Sequence, residues 1–188
     1  MILQGLFKLA RGDANGLAEF ANDKEAFSAS LAPLIAFPLV GAMITAASGN
    51  WKAALIGLLS RFCAVLALPL ITYEFSRIFG KESLWLRTAT ALNWCFWLVL
   101  PAIFVAAVLG SIIAQMGLPL IQSEEVVLAL MVLYLLWNRW FVFKAGLQLN
   151  AWRTLLVLTA SLAATLLFAA LPWAAGMPAP SLQLTSLN

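Results

Sequence analysis

The stretch that decides the fold is residues 53–75, AALIGLLSRFCAVLALPLITYEF, in which Arg61 and Glu74 are the only charged residues. An α-helix needs roughly 20 mostly apolar residues to cross the hydrocarbon core of a bilayer. Residues 53–75 meet that length and that composition. The stretch therefore predicts a transmembrane helix.

Four more apolar runs of comparable length occur along the chain, at residues 31–48, 88–113, 126–143 and 154–173. The connections between the runs are short and contain Gly, Pro, Asn or charged residues, so neighbouring helices should pack antiparallel. No internal repeat or second folded domain is visible in the sequence. We therefore predict an all-α integral membrane protein, with a bundle of five transmembrane helices formed by residues 29–174.

The composition agrees with this class and excludes several others. Hydrophobic residues make up 63% of the 188 residues and charged residues only 10%, whereas about 25% of the residues in a soluble domain are charged. The sequence has no histidine, and its two aspartates, Asp13 and Asp23, precede the first apolar run. Histidine-box iron chemistry, Ser-His hydrolysis and paired intramembrane aspartates are thereby excluded. We expect a protein that is not an enzyme and that holds no cofactor or metal.

The basic residues indicate the orientation, because cytoplasmic loops of membrane proteins are enriched in Lys and Arg. Lys52 is the one basic residue on the predicted outer side of the membrane, and Arg61 lies within the second run. The other nine of the eleven basic residues fall on the opposite predicted side: Lys8, Arg11, Lys24, Arg77, Lys81, Arg87, Arg139, Lys144 and Arg153. This pattern predicts a cytoplasmic N-terminus and a C-terminal tail, residues 175–188, on the outer side of a bacterial inner (plasma) membrane. The net charge of +3 favours contact with anionic lipid headgroups over nucleic acid.

The N-terminal segment, residues 1–28, is too polar to span the membrane. Its apolar residues lie on one side of a short helix, and Gly12 interrupts the pattern before Leu17 and Phe20 resume it. Such a segment predicts an amphipathic helix in the cytoplasmic interface. Its apolar face could dock on lipid or be offered to a partner protein.

Arg61 is the most informative single residue, because a charged side chain near the bilayer centre costs about 2.5–3.5 kcal/mol on insertion scales. With the neighbouring Ser60 it lies on a face of small and polar residues that should pack inward. Glu124 and Glu125 are the candidate counter-ions if the fourth helix neighbours the second. Arg61 could form a structural ion pair or reach the interface, contact a substrate or lipid headgroup, or contact another subunit.

A second candidate site is a polar cluster under the cytoplasmic headgroups. Its predicted members come from three helices: Tyr73, Glu74, Arg77, Asn93, Asn138 and Arg139. These groups could form a structural hydrogen-bond network or line a functional cavity. Pro69 and Pro101 fall within the second and third runs and are expected to kink them, which would open room for a cavity.

Two stretches resemble the Yip-type (Ypt/Rab-interacting) membrane proteins and their bacterial branch. The first is residues 27–35, FSASLAPLI, which lead into the first helix. The second comprises residues 78–81, IFGK, and the downstream residues 89–94, ATALNW. The family has a cytoplasmic N-terminal segment followed by five closely spaced helices, and the resemblance implies a non-enzymatic scaffold or membrane-organising protein. The long acidic or proline-rich extension of eukaryotic members is missing here.

Two functions remain open at the level of sequence. The first is a non-catalytic scaffold or accessory subunit that acts through helix–helix and lipid contacts in a larger membrane complex, with other membrane subunits or further copies of itself as partners. The second is a small transporter, or a substrate-binding transporter subunit, that uses Arg61 and kinked helices. The only nucleophilic arrangement still open is a Ser–Lys pair such as Ser48 and Lys52.

Overall fold

The computed structural model of the chain describes residues 2–117 and 119–176, which form helices, turns and no strand. Helix accounts for 87% of the structure. Within these residues, five helical segments are long and apolar enough to cross a membrane, which confirms the predicted multi-pass helical class. The predicted C-terminal tail lies outside the described residues from position 177 onward.

Seven α-helices are present in the described residues. Their bounds are α1 Ile2–Ala10, α2 Lys24–Ala47, α3 Trp51–Ile78, α4 Trp85–Cys95, α5 Val99–Gln115, α6 Leu120–Gly146 and α7 Ala151–Ala174. Short 3-10 turns occur at Ala14–Glu19, Glu82–Leu84 and Phe96–Leu98. The first spanning helix begins at Lys24, several residues ahead of the predicted boundary between residues 28 and 29.

Side-chain caps explain where three of the long helices begin. The carboxylate of Asp23 accepts a hydrogen bond from the Ala26 amide at the start of α2. Asn50 and Asn150 accept in the same way at the starts of α3 and α7. Each cap satisfies one of the amides that a helix N-terminus leaves unbonded. The turn residues between the apolar runs therefore set the helix boundaries.

The third span is divided, which differs from the proline kink expected there. Helix α4 ends at Cys95, the 3-10 turn Phe96–Leu98 follows, and α5 begins at Val99. Pro101 falls in the first turn of α5, where its missing N–H removes no helical hydrogen bond. Pro69 lies inside the continuous helix α3, and its carbonyl accepts a hydrogen bond from the Trp85 indole at 3.0 Å.

The N-terminal segment belongs to the apolar core that the described residues form. Leu9 and Phe20 are almost completely buried, and with Leu6 and Leu17 they pack against residues of α4, the end of α6 and the start of α7. On the other side of α1, Leu3 and Phe7 are exposed. The segment therefore docks against the bundle along one side of α1 and leaves apolar side chains outward on the other.

Close backbone approach holds α1 against the first 3-10 turn. A Cβ added to Gly16 would lie 2.7 Å from the carbonyl oxygen of Gly5, so neither position has room for a side chain. The Lys8 ammonium donates a 2.7 Å hydrogen bond to Glu19. This contact lowers the pKa of Glu19 to about 2, so any stabilisation is present above the ordinary carboxyl pKa of 4.5 and is lost as the pH falls towards 2. Both side chains are partly solvated, which keeps the contribution small.

The long helices of the described residues form two groups by their contacts. Helix α3 packs mainly against α2 and α7, whereas α5 packs mainly against α6. Helix α4 lies between the groups and contacts α2, α3 and α6. Since α5 starts after the break at residues 96–98, it leaves this central position and is the least covered of the long helices.

Candidate functional site: two membrane arginines and their cavities

Arg61 lies at the junction of two cavities. The first, here the Thr45 cavity, has a volume of about 360 Å³ between α2, α3 and α7, and its lining includes Thr45, Gly57, Ser60, Arg61, Ala169 and Trp173. The second, here the Trp97 cavity, has a volume of about 520 Å³ between α2, α3 and the α4–α5 junction, and its lining includes Leu34, Phe37, Arg61, Val65, Trp97 and Leu100. Arg61 is the charged residue in both linings.

The guanidinium of Arg61 lies close to α2. Its Nη1 atom would be 3.3 Å from a Cβ added to Gly41, so the glycine gives the guanidinium room at the α2 backbone. Arg61 is exposed within the described part of the chain. In residues 2–117 and 119–176 its side chain makes no hydrogen bond or ion pair. A cation in a spanning helix is thus left available to an anion that the described residues do not supply.

The predicted pairing of Arg61 with Glu124 or Glu125 is wrong for this structure. Both glutamates are exposed in the first half of α6, and α6 packs mainly on α4, α5 and α7. The expectation required the fourth span to neighbour the second, whereas α2 and α7 take the positions beside α3. Neither glutamate forms an ion pair with Arg61.

Ser60, the other member of the predicted Arg61 site, has a structural contact. Its hydroxyl donates a 2.5 Å hydrogen bond to the backbone carbonyl of Phe168 in α7, and the residue is buried. This bond fixes α3 against α7 at the level of the Thr45 cavity. The hydroxyl proton is therefore committed to the helix–helix contact.

The predicted cytoplasmic-side cluster is divided into separate contacts. The ring of Tyr73 packs edge-on against Trp85, with centroids 5.0 Å apart. Glu74 and Arg77 form a 2.9 Å ion pair one turn apart on α3, and both side chains are partly solvated. Such an exposed pair within one helix contributes little to stability. These three residues act locally and do not meet the asparagines of the other helices.

Asn93 joins α4 to α2 inside the bundle. Its side-chain amide donates a 2.9 Å hydrogen bond to the hydroxyl of Ser30, which in turn donates to the Phe27 carbonyl. Both residues are buried, and the Oδ1 atom of Asn93 has no hydrogen-bond partner. The contact fixes the first part of α2 against the last turn of α4.

We expect Ser30→Ala to destabilise the protein by about 1–2 kcal/mol, because the Asn93 amide would lose its acceptor inside the bundle. Ser28→Ala is the matched control, since Ser28 is exposed on the same helix and its loss should be near neutral. Unfolding in SDS titrations measures both. Equal effects of the two substitutions would show that the buried hydrogen bond contributes nothing specific.

Two residues of α6 donate hydrogen bonds to backbone carbonyls at the C-terminal end of α1. The side-chain amide of Asn138 donates to the Leu9 carbonyl at 3.0 Å, and the hydroxyl of Tyr134 donates to the Ala10 carbonyl at 3.0 Å. Carbonyls in the last turn of a helix lack intrahelical partners, so these donors substitute for them. Asn138 was singled out from the sequence, whereas Tyr134 was missed. Its spacing of four residues from Asn138, one helical turn, was the available signal.

Arg139 lines a third cavity, about 230 Å³ in volume, between α4, α5 and α6. The Arg139 cavity is bounded by Leu92, Cys95, Val99, Val132, Leu136 and Arg139, among others. Arg139 makes no ion pair within the described residues. Among the described residues, no ion pair links it to the members of the predicted cluster from α3.

The chemistry offered by these cavities is anion binding. Arginine presents five N–H donors and stays charged, so it recognises carboxylate and phosphate groups well. Within the described residues, no three His, Cys, Asp or Glu side chains lie together as a metal site would require. No protein-family model, curated protein or solved structure matches the chain.

Proposed function

We propose that this chain is a non-catalytic integral membrane protein, a scaffold or accessory subunit that acts through helix–helix and lipid contacts in a larger membrane complex. The observation that carries the proposal is the exposure of α5. Gly110 is the only buried residue among Val99–Gln115. The exposed side chains are large and apolar, including Leu100, Ile103, Phe104, Val105, Val108, Leu109 and Ile112. Helices associate in membranes through van der Waals packing and not through hydrophobicity. The span that contains α5 is the least covered in the described part of the chain, so α5 is the surface we assign to a partner.

The setting we propose is a bacterial inner membrane, with the N-terminus in the cytoplasm and the C-terminus outside. The distribution of Lys and Arg supports this orientation. In that orientation α1 lies at the cytoplasmic interface, with Leu6 and Leu9 on the bundle and Leu3 and Phe7 towards the acyl chains. Membership of the Yip-type family is part of the proposal and is supported by the sequence stretches at residues 27–35, 78–81 and 89–94.

Site-specific photocrosslinking in native membranes tests the α5 contact. A photoreactive amino acid replaces Phe104 of α5, which is 71% exposed, and in a second variant Leu166 of α7, which is 68% exposed. We expect a protein adduct of one discrete mass from position 104 and only lipid adducts from position 166. Lipid adducts alone from both positions would contradict a partner surface on α5.

A second function is favoured by one further observation, the position of Arg61 between two cavities. It supports a substrate-binding transporter subunit or a small transporter for an anion. Five spans and the lack of a visible inverted repeat in the sequence argue against a complete carrier made from one chain, so this function requires a homodimer or an energising partner. Reconstituted vesicles that show no anion flux, with the protein alone or with its co-purified partner, would remove the transport function.

A further inference from the structure

The Trp97 cavity contains two hydrogen-bond donors for which the described residues provide no acceptor. One is the guanidinium of Arg61, which makes no hydrogen bond or ion pair there. The other is the indole N–H of Trp97, which is buried without a hydrogen-bond partner. Buried donors in proteins almost always have an acceptor. Both residues line the same cavity. The rule applies to the indole of Trp97, whereas Arg61 is exposed and is the donor that an acceptor from outside the chain can reach.

The rest of the Trp97 cavity is apolar. Its remaining lining consists of aliphatic, proline and aromatic residues from α2, α3 and the α4–α5 junction, including Leu34, Phe37, Val65 and Leu100. Phe37 packs edge-on against Trp97, with ring centroids 5.4 Å apart, so these rings fix one wall. The volume of about 520 Å³ falls within the range of ligand pockets, roughly 300–1,000 Å³.

The position of the charge relative to the apolar lining restricts the ligand. Arg61 lines the Thr45 cavity as well as the Trp97 cavity, so it lies where the two adjoin. Thr45 and Ser60 contribute polar groups to the Thr45 cavity, whereas the lining of the Trp97 cavity offers mainly hydrocarbon contacts. A small inorganic anion at Arg61 would leave the apolar lining of the Trp97 cavity unoccupied.

We propose that the Trp97 cavity binds an acidic amphiphile, with a carboxylate or phosphate head on Arg61 and an apolar chain along Leu34, Phe37, Val65 and Leu100. A free fatty acid and an anionic phospholipid both have this chemistry. The inference names the ligand class of the substrate-binding function proposed above. The inference concerns equilibrium binding, so an absence of anion flux in vesicles would remove the transport function and leave the inference intact. An absence of amphiphile binding would remove the inference.

The test measures binding to the full chain in nanodiscs of neutral phosphatidylcholine. Oleate and phosphatidylglycerol are added separately, and native mass spectrometry counts the retained molecules while titration gives the affinity. We expect the protein to retain one molecule of at least one of the two probes and to show no saturable binding of acetate. Which probe is retained distinguishes a free fatty acid from an anionic phospholipid. Arg61→Gln should weaken the binding by about tenfold or more, as expected for loss of a charged hydrogen-bond donor.

Matched variants separate the site from general electrostatics and from misfolding. Lys52→Gln removes one positive charge from the same helix outside both cavities and should leave the affinity unchanged. Arg61→Lys keeps the charge and should retain more affinity than Arg61→Gln. Ala64→Phe adds a ring to the lining of the Trp97 cavity without touching the charge and should also abolish retention.

Three results would overturn the proposal. One is the absence of saturable binding of either probe to the wild-type protein. Another is an equal loss of affinity in Lys52→Gln and Arg61→Gln, which would indicate attraction to surface charge. The third is unchanged binding in Ala64→Phe, which would show that the apolar chain of the ligand lies outside the Trp97 cavity. If Arg61→Gln fails to fold, the Ala64→Phe result decides the question alone.

Discussion

Replacing Leu9 with alanine is expected to destabilise the protein by about 2–5 kcal/mol. The side chain is 0% exposed and belongs to the core shared by the N-terminal segment, α4, α6 and α7. Truncating a buried leucine loses its apolar contacts and leaves a cavity that the neighbours fill only in part. An SDS titration followed by tryptophan fluorescence measures the change, and limited proteolysis reports whether α1 detaches first.

Leu3→Ala is the matched control for this experiment. Leu3 lies on the same helix but is 70% exposed, so its truncation should change the stability far less than that of Leu9. If the two variants were equally stable, α1 would not be packed on the bundle. The N-terminal segment would then be a peripheral attachment instead of part of the core.

The second large effect is expected from Gly146→Ala at the end of α6. A Cβ at this position would lie 2.6 Å from both Cγ2 and Oγ1 of Thr88, which is itself fully buried in α4. Thr88 also donates a hydrogen bond to the Leu84 carbonyl, so it is held in place. Overpacking of this kind typically costs about 1–3 kcal/mol, and thermal unfolding in detergent measures the loss.

Gly110→Ala in α5 is the control for the same substitution in open space. No atom lies within 4 Å of a Cβ built there, so the usual helical preference for alanine should make this variant neutral or more stable by about 0.5–1 kcal/mol. Adding Thr88→Ala to Gly146→Ala should recover part of the lost stability, because the two clashing atoms are removed. Absence of any recovery would contradict the α4–α6 contact.

The spanning helices could be predicted from sequence because their signal is local. Hydrophobic length identifies each span without knowledge of its neighbours, and Asn50 and Asn150, at the predicted breaks, cap the helices that follow. The division of the third span was not predicted. Residues 96–98 are as apolar as the helix around them, so composition carries no signal for the 3-10 turn.

The candidate sites depended on which helices are neighbours, and hydropathy does not determine this. Arg61 was identified correctly as an unusual charge in a span, but its predicted partners Glu124 and Glu125 belong to a helix that packs elsewhere. Asn93 and Asn138 were expected in one cluster. They bond instead to Ser30 and to the Leu9 carbonyl, because α2 and α1 occupy the positions beside them.

The measurement that tests the central proposal most directly is the composition of the complex extracted gently from native membranes. The wild-type chain is compared with a variant in which Ile103 and Phe104 of α5 are both replaced by alanine, and mass spectrometry gives the stoichiometry of what accompanies each. We predict a stoichiometric partner, either another membrane subunit or a second copy of the chain, that the α5 variant loses while it stays folded. A wild-type chain extracted as a lone monomer would contradict the proposal.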